Sequence, residues 1–104
     1  MDILYELENP KGTPLQYDKY KEYLQQERKG HWWFKFPNNY GASVIKKYGS
    51  YGYEDDKFEL GVSYYDENGV PSLTYNTPIT NNVIGWLTND EVLEYLEKIK
   101  NLEE

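Results

Sequence analysis

The sequence contains no cysteine among its 104 residues. Disulfide bonds, thiol nucleophiles and cysteine-based zinc sites are therefore excluded. Small secreted domains commonly need disulfides for stability, so this absence favours a cytoplasmic protein. No stretch approaches the roughly 20 apolar residues of a membrane span. Asp2 and Glu6 also enclose the short apolar start, where a secretion signal needs a basic region, so we expect neither export nor membrane binding.

Basic residues are scarce, with 11 Lys and Arg against 18 Asp and Glu and a formal net charge of −7. This balance opposes direct binding to nucleic acid, because such binding depends on cationic groups that displace counterions from phosphates. It equally opposes adsorption to anionic membranes. The same charge favours a protein partner that presents a basic surface.

Aromatic residues are abundant, with 12 Tyr, 3 Trp and 3 Phe. Each large ring buries roughly 150–250 Å², so rings can close the core of a chain that has room for only one domain. We predict a single domain over residues 1–104, in which 1–33 form an arm and a helix and 34–104 form a sheet and a second helix. Residues 1–8 themselves read as a short strand or a frayed arm.

The spacing of apolar residues predicts a mixed α+β fold. Tyr17, Tyr20 and Leu24 share one face of a helix over residues 15–29, and Gly30 is a typical helix stop. Alternation of apolar and polar side chains predicts four short antiparallel strands, over residues 31–36, 42–48, 57–65 and 70–75.

Two local signals complete the predicted architecture. The Asn-Gly pair at 68–69 predicts a hairpin turn. Thr88 and Glu91 form a capping box at the start of a carboxy-terminal amphipathic helix. Residues 77–86 read as irregular, with a single helical turn near 81–84. The expected fold class is therefore α+β, with an antiparallel sheet of about four strands flanked by an N-terminal and a C-terminal helix.

No group of side chains forms a recognisable catalytic set. His31 is the single histidine, and a histidine base needs a nucleophile and an orienting group. Glu54, Asp55, Asp56 and Glu59 form the densest acidic cluster, but their spacing matches no metal-binding loop. We therefore predict no catalytic residue, no metal and no cofactor. A small metal-dependent enzyme that uses Asp55, Asp56 and Glu59 stays open as an alternative.

The surplus of rings and acids instead indicates a binding surface. Exposed Tyr and Trp are favoured at protein interfaces, and the acidic carboxy-terminal helix offers a docking face. The residues predicted to bind are Trp33, Tyr40, Tyr51, Tyr53, Glu54, Asp55, Asp56, Glu94 and Glu97.

Two runs carry a family resemblance: FPNNYGASV at 36–44 and TPITNNVIGWLT at 77–88. Through them, residues 34–104 resemble a family of small uncharacterised proteins encoded by phages and prophages of Gram-positive bacteria. The resemblance implies a mobile-element origin and transfers no catalytic residue. This chain departs from the family pattern by having asparagine in place of aspartate at positions 76, 81 and 82.

These features support a non-enzymatic phage- or prophage-type accessory protein that binds a host or phage protein, with inhibition of a defence nuclease as one form of that function. A second hypothesis is an acidic DNA mimic of the anti-restriction or anti-CRISPR kind, which requires acids in a row with phosphate-like spacing. The protein is expected to be a monomer or a homodimer, the latter joined at the edge near Pro71 or along the strand that bears Trp33.

Overall fold

The structure, a computed structural model, describes residues 3–80 and 82–103. Within these ranges an antiparallel sheet of six strands is accompanied by a short amino-terminal helix, α1, and a longer carboxy-terminal helix, α2. Neither helix has the length and hydropathy of a bilayer-spanning segment. The elements are α1 Ile3–Glu8, β1 Leu24–Glu27, β2 His31–Lys35, β3 Tyr40–Ile45, β4 Phe58–Tyr65, β5 Pro71–Leu73, β6 Ile84–Leu87 and α2 Asn89–Lys100.

The sheet has the order β1-β2-β3-β4-β5, and β6 also lies beside β4. The first half of β4 pairs with β6 and its second half pairs with β5. The predicted α+β class is confirmed, and β2 to β5 lie where the four strands were predicted. The strand count is higher than predicted, because β1 and β6 extend the sheet. Trp33 lies on β2, which has a neighbour on both sides and so offers no free edge for a dimer.

The helix predicted over residues 15–29 is wrong. The chain is extended at first, forms a 3₁₀ turn over Asp18–Tyr23, and then becomes β1. The spacing of Tyr17 and Tyr20 fits a turn of three residues as well as one of 3.6. After that turn, the backbone pairs with β2, and this tertiary pairing outweighs local propensity. The amino-terminal helix lies instead at Ile3–Glu8, where a strand or arm was predicted.

One face of the sheet, the inner face, packs against α2 and the segment 15–23. Tyr20 is buried there, and Tyr17 meets the ring of Phe34 edge-on at 5.7 Å between centroids. The opposite, outer face is left without a helix. The buried side chains on the inner face of β2, β3 and β4 are Trp32, Phe34, Ala42, Val44, Phe58, Leu60 and Val62.

Both ends of α2 are fixed by side chains from sequence motifs. The predicted capping box is confirmed: Thr88 Oγ1 accepts from the Glu91 amide at 3.2 Å, and Glu91 Oε1 accepts from the Thr88 amide at 2.9 Å. At the other end, the two N–H groups of Asn38 Nδ2 are shared among the carbonyl oxygens of Ile99 and Lys100 in the last turn and of Leu102 just beyond it, at 2.9–3.1 Å. Asn38 belongs to the FPNNYGASV run, so part of that run has a structural role.

The hairpin predicted at 68–69 is confirmed, since it joins β4 to β5. Only Gly69 adopts a positive φ, at 76°. Asp66 Oδ1 accepts from the amides of Asn68 and Val70, which fixes the turn without left-handed backbone at Asn68. The helical turn predicted near 81–84 is not formed by its described part, because β6 begins at Ile84; Asn81 lies outside the described residues.

Lys46 joins the amino-terminal segment to the rest of the molecule. It follows β3 and is only 3% exposed. Its Nζ donates to the carbonyl of Thr13 and to Oδ1 of Asp56, each at 2.7 Å, and lies 4.0 Å from the centroid of the Phe58 ring. The Thr13 amide also donates to Asp56 at 2.9 Å. One buried ammonium group therefore connects three separate stretches of the chain.

We expect Lys46→Met to lower the free energy of unfolding by about 2 kcal/mol, because Thr13 and Asp56 lose their donor. The loss stays below that of a fully buried pair, since the Asp56 side chain is 52% exposed and regains water. Thermal unfolding followed by circular dichroism should show a fall in Tm of about 10 °C. Lys47→Met, at the neighbouring position without an ion pair among the described residues, is the matched control. Equal losses in the two variants would contradict the anchoring role.

Candidate functional site

Trp86 has the most unusual combination of backbone and exposure. It lies on β6, its side chain is 55% exposed, and its φ is 55°. Left-handed backbone is rare for a bulky residue and costs on the order of 1–3 kcal/mol. The cause is a bulge: the register shifts so that Gly85 and Trp86 together lie opposite Glu59. The strand therefore presents a large ring to solvent at an energetic cost.

Tyr51, which is also 55% exposed, stacks on Trp86 with 5.7 Å between ring centroids and 18° between planes. The approach is close: a Cβ at Gly85 would lie 2.5 Å from the Cβ of Tyr51. Trp86 Nε1 donates to Asp55 Oδ2 at 3.1 Å, and the Tyr51 amide donates to Glu59 Oε1 at 2.9 Å. We call these four residues, Tyr51, Asp55, Glu59 and Trp86, the Trp86 patch.

The patch combines an apolar centre with an acidic rim. Asp55 and Glu59 form no ion pair with a lysine or arginine among the described residues. The neighbouring Glu54 is engaged elsewhere, because Lys11 Nζ donates to its carboxylate at 3.0 Å. A partner that covers the rings would therefore meet two carboxylates without cationic partners.

Other predicted site residues near the patch have structural roles. Tyr53 is buried, so it is not a docking ring; its hydroxyl accepts from the Lys11 amide at 2.9 Å and donates to Glu6 Oε1 at 3.0 Å. Burial raises the pKa of Tyr53. Asp56 is held by Lys46 and Thr13, and the hydrogen bond from Lys46 is the main cause that lowers the pKa of Asp56. Of the predicted site residues, the structure thus brings Tyr51 and Asp55 together around Trp86, but not Glu54, Tyr53 or Asp56.

Trp33 and Tyr40 lie away from the patch. Trp33 is half-buried on the outer face, where it stacks on His31 with 3.4 Å between ring centroids. Tyr40 is half-buried and meets Tyr64 edge-on at 5.1 Å.

The acids predicted on α2 are surrounded by lysines. Glu97 accepts from the Tyr20 hydroxyl at 2.8 Å; burial is the main cause that raises the pKa of Tyr20 to about 12. Asp90, Glu94 and Glu97 line a shallow depression together with Lys19 and Lys98. The two lysines lie among the acids, which does not favour the continuous row of carboxylates that a DNA mimic requires.

His31 lies 2.6 Å from a hydroxyl, measured from Nε2 to Ser43 Oγ. Burial, followed by the charge of Lys47, lowers the pKa of His31 to about 4, so the ring is uncharged near neutral pH. Among the described residues, no carboxylate hydrogen-bonds its other ring nitrogen, as the triad of a serine hydrolase would require.

The acidic cluster proposed as a metal site is divided among different partners. Asp55 binds Trp86, Asp56 binds Lys46 and Glu59 binds the Tyr51 amide. Within residues 3–80 and 82–103, no three side chains of metal-ligating type converge. Each of the three carboxylates therefore makes a separate structural contact.

Comparisons with protein-family models, with curated proteins and with solved structures find no match for this chain. The candidate site is therefore defined by its geometry. The sequence prediction missed Trp86, because residues 77–86 read as irregular. The sequence feature that could have indicated this site is Gly85 inside an apolar run, since a glycine there is typical of a bulge or of a close backbone approach.

If Trp86 serves binding and not folding, its removal should not destabilise the protein. We expect Trp86→Gly to leave the free energy of unfolding unchanged or to raise it by up to about 1 kcal/mol, because glycine tolerates positive φ. Urea unfolding monitored by circular dichroism measures this change. The control is Leu87→Gly, whose buried side chain on the same strand should cost about 2 kcal/mol or more. A loss above about 1 kcal/mol in Trp86→Gly would show that the ring supports the fold.

The lowered pKa of His31 predicts a pH dependence of stability. Between the ordinary pKa of 6.5 and the folded value of about 4, the unfolded chain binds more protons, so stability falls as the pH falls. We expect the stability of the wild type relative to His31→Gln to decrease by about 1 kcal/mol from about pH 7 to about pH 4.5, after discounting for a half-exposed ring. Urea unfolding at both pH values measures this difference, in which the shared carboxylates cancel. A difference independent of pH would contradict the prediction.

Proposed function

We propose that this protein is a non-enzymatic accessory protein of the phage type, which binds a host or phage protein in the bacterial cytoplasm through the Trp86 patch. The observation that carries this proposal is the exposed ring of Trp86 on left-handed backbone. Backbone strain concentrates at functional positions, where it is retained because the position serves something other than stability. Tryptophan and tyrosine are also the residues that most often dominate the binding energy of protein interfaces.

The chemistry of the patch specifies the kind of partner. The stacked rings of Tyr51 and Trp86 need an apolar pocket that excludes water. Asp55 and Glu59 at the rim, together with the net charge of −7, favour lysines and arginines around that pocket. The expected partner surface is therefore an apolar recess within a basic region.

A defence nuclease fits this description. An enzyme that acts on nucleic acid presents a basic surface to phosphates, and an acidic protein can occupy it. The resemblance of residues 34–104 to phage and prophage proteins supports the same choice. Aromatic anchoring distinguishes this function from DNA mimicry, because a mimic depends on carboxylate spacing and not on Trp86.

The proposal is tested by affinity capture with paired baits. Wild-type protein and Trp86→Ala are immobilised separately and exposed to lysates of phage-infected or lysogenic Gram-positive cells, and retained proteins are quantified by mass spectrometry. We expect at least one protein that the wild type retains and the variant loses. Tyr75→Ala is the control bait, because Tyr75 is an exposed tyrosine outside the patch.

With the purified partner, Trp86→Ala and Tyr51→Ala should each weaken binding by about 30-fold or more, which corresponds to about 2 kcal/mol. Binding should also weaken as salt rises, because the rim contributes through charge. Calorimetric titration measures both effects. The absence of any retained protein that depends on Trp86 would falsify the proposal.

A further inference from the structure

A groove of about 300 Å³ lies on the outer face of the sheet, which α2 leaves uncovered. Its walls stand on β2 and β5, which are three strand spacings, or about 14 Å, apart. Between these walls, Ser43, Gly61 and Ser63 place only small side chains, or none, on this face, so the surface is concave there. The main lining residues are His31, Trp33, Ser43, Ile45, Ser63 and Leu73.

Ser63 is the observation that indicates a ligand. It lies in this groove, is 3% exposed, and its Oγ has no hydrogen-bond partner among the described residues. A buried hydroxyl without a partner costs about 1–3 kcal/mol, and such groups are uncommon in folded proteins. Replacement by alanine would remove this cost without leaving a large cavity. A group that enters the groove and hydrogen-bonds to Ser63 Oγ would remove this cost.

The lining determines the chemical class of that group. Among the described residues, no side chain with a permanent charge lines the groove; Lys35, which follows Trp33 on the same face, places its ammonium over the ring of Tyr65. Lys47 acts on His31 through its charge but does not line the groove, so a charged ligand would lose hydration there without gaining a direct ion pair. The stacked rings of Trp33 and His31 on one side, with Leu73 on the other, favour a flat apolar body. The volume equals that of roughly ten water molecules, enough for a single ring.

We propose that this groove binds an uncharged aromatic ring with one hydrogen-bonding substituent, of the phenol type. The ring lies between the wall formed by Trp33 and His31 and the wall formed by Leu73, and its hydroxyl pairs with Ser63 Oγ. Such a ring belongs either to a free small molecule or to a tyrosine side chain. This site is independent of the function proposed for the Trp86 patch.

The test uses phenol, benzene and benzoate as probes of the ¹⁵N-labelled protein in NMR titrations. Phenol should shift amide signals of β3 and β4 around Ser43 and Ser63. It should bind about fivefold or more tighter than benzene, because of one added hydrogen bond. Benzoate, which carries the same ring with a charge, should not bind. Shifts that are absent, or that map to another surface, overturn the proposal.

Ser63→Ala should abolish the preference for phenol over benzene and should unfold at the same or a higher temperature than the wild type. The matched control is Ser72→Ala, which removes an exposed hydroxyl from the same strand pair on the face opposite Ser63 and should keep the preference. A Ser63→Ala protein that still prefers phenol to the same degree overturns the assignment. N-acetyltyrosinamide distinguishes the sources: tighter binding than phenol assigns a peptide side chain, and weaker binding assigns a small molecule.

Discussion

The buried ammonium of Lys46 is the constraint on which the arrangement of this molecule depends. It holds the segment around Thr13 and the turn around Asp56 against the ring of Phe58. Because Asp56 is fixed, the adjacent Asp55 lies where it can accept from the indole of Trp86. The ammonium of Lys46, which connects separate segments of the chain, thus also helps to position the Trp86 patch. Its loss would affect the position of the Trp86 patch as well as stability.

The two faces of the sheet differ: the inner face packs against other segments of the chain, and the outer face carries the exposed features. The inner face holds rings and aliphatic side chains under α2 and the segment 15–23, and it contains most of the buried apolar residues. On the outer face, Ser43, Gly61 and Ser63 are small residues of the central strands, and the rings of His31 and Trp33 lie on β2. Glu59 lies opposite Ile45 on that same face, so the rim of the Trp86 patch borders the groove above Ser63. One sheet therefore carries both candidate binding features on the face that its helices leave open.

The parts of the fold predicted from sequence are those set by local chemistry. Thr88 and Glu91 cap α2 because a capping box requires only adjacent residues, and the hairpin at 68–69 follows from local turn geometry. The helix predicted over residues 15–29 does not form, because the pairing of this segment with β2 is a tertiary interaction that the spacing of its apolar residues does not reveal.

Only part of the candidate site was predicted, because only part of it depends on local sequence. Tyr51 and Asp55 can be recognised as site candidates from their residue types. Trp86 is distinguished by its positive backbone φ, and Ser63 by a buried hydroxyl that has no hydrogen-bond partner among the described residues. Neither property is visible in the sequence. Tyr53 shows the converse, since a tyrosine that looks available for docking is buried by contacts with Lys11 and Glu6.

The borders of the sheet have a consequence for behaviour at high concentration. β1 is interrupted by a register shift between Leu24 and Gln26, and the opposite border is divided between β5 and β6, with Pro71 removing a donor. Long, regular edges act as templates on which further chains add and grow into fibrils. Sheet edges that are interrupted in this way do not provide such a template. The molecule can therefore expose aromatic side chains while its main chain resists self-assembly.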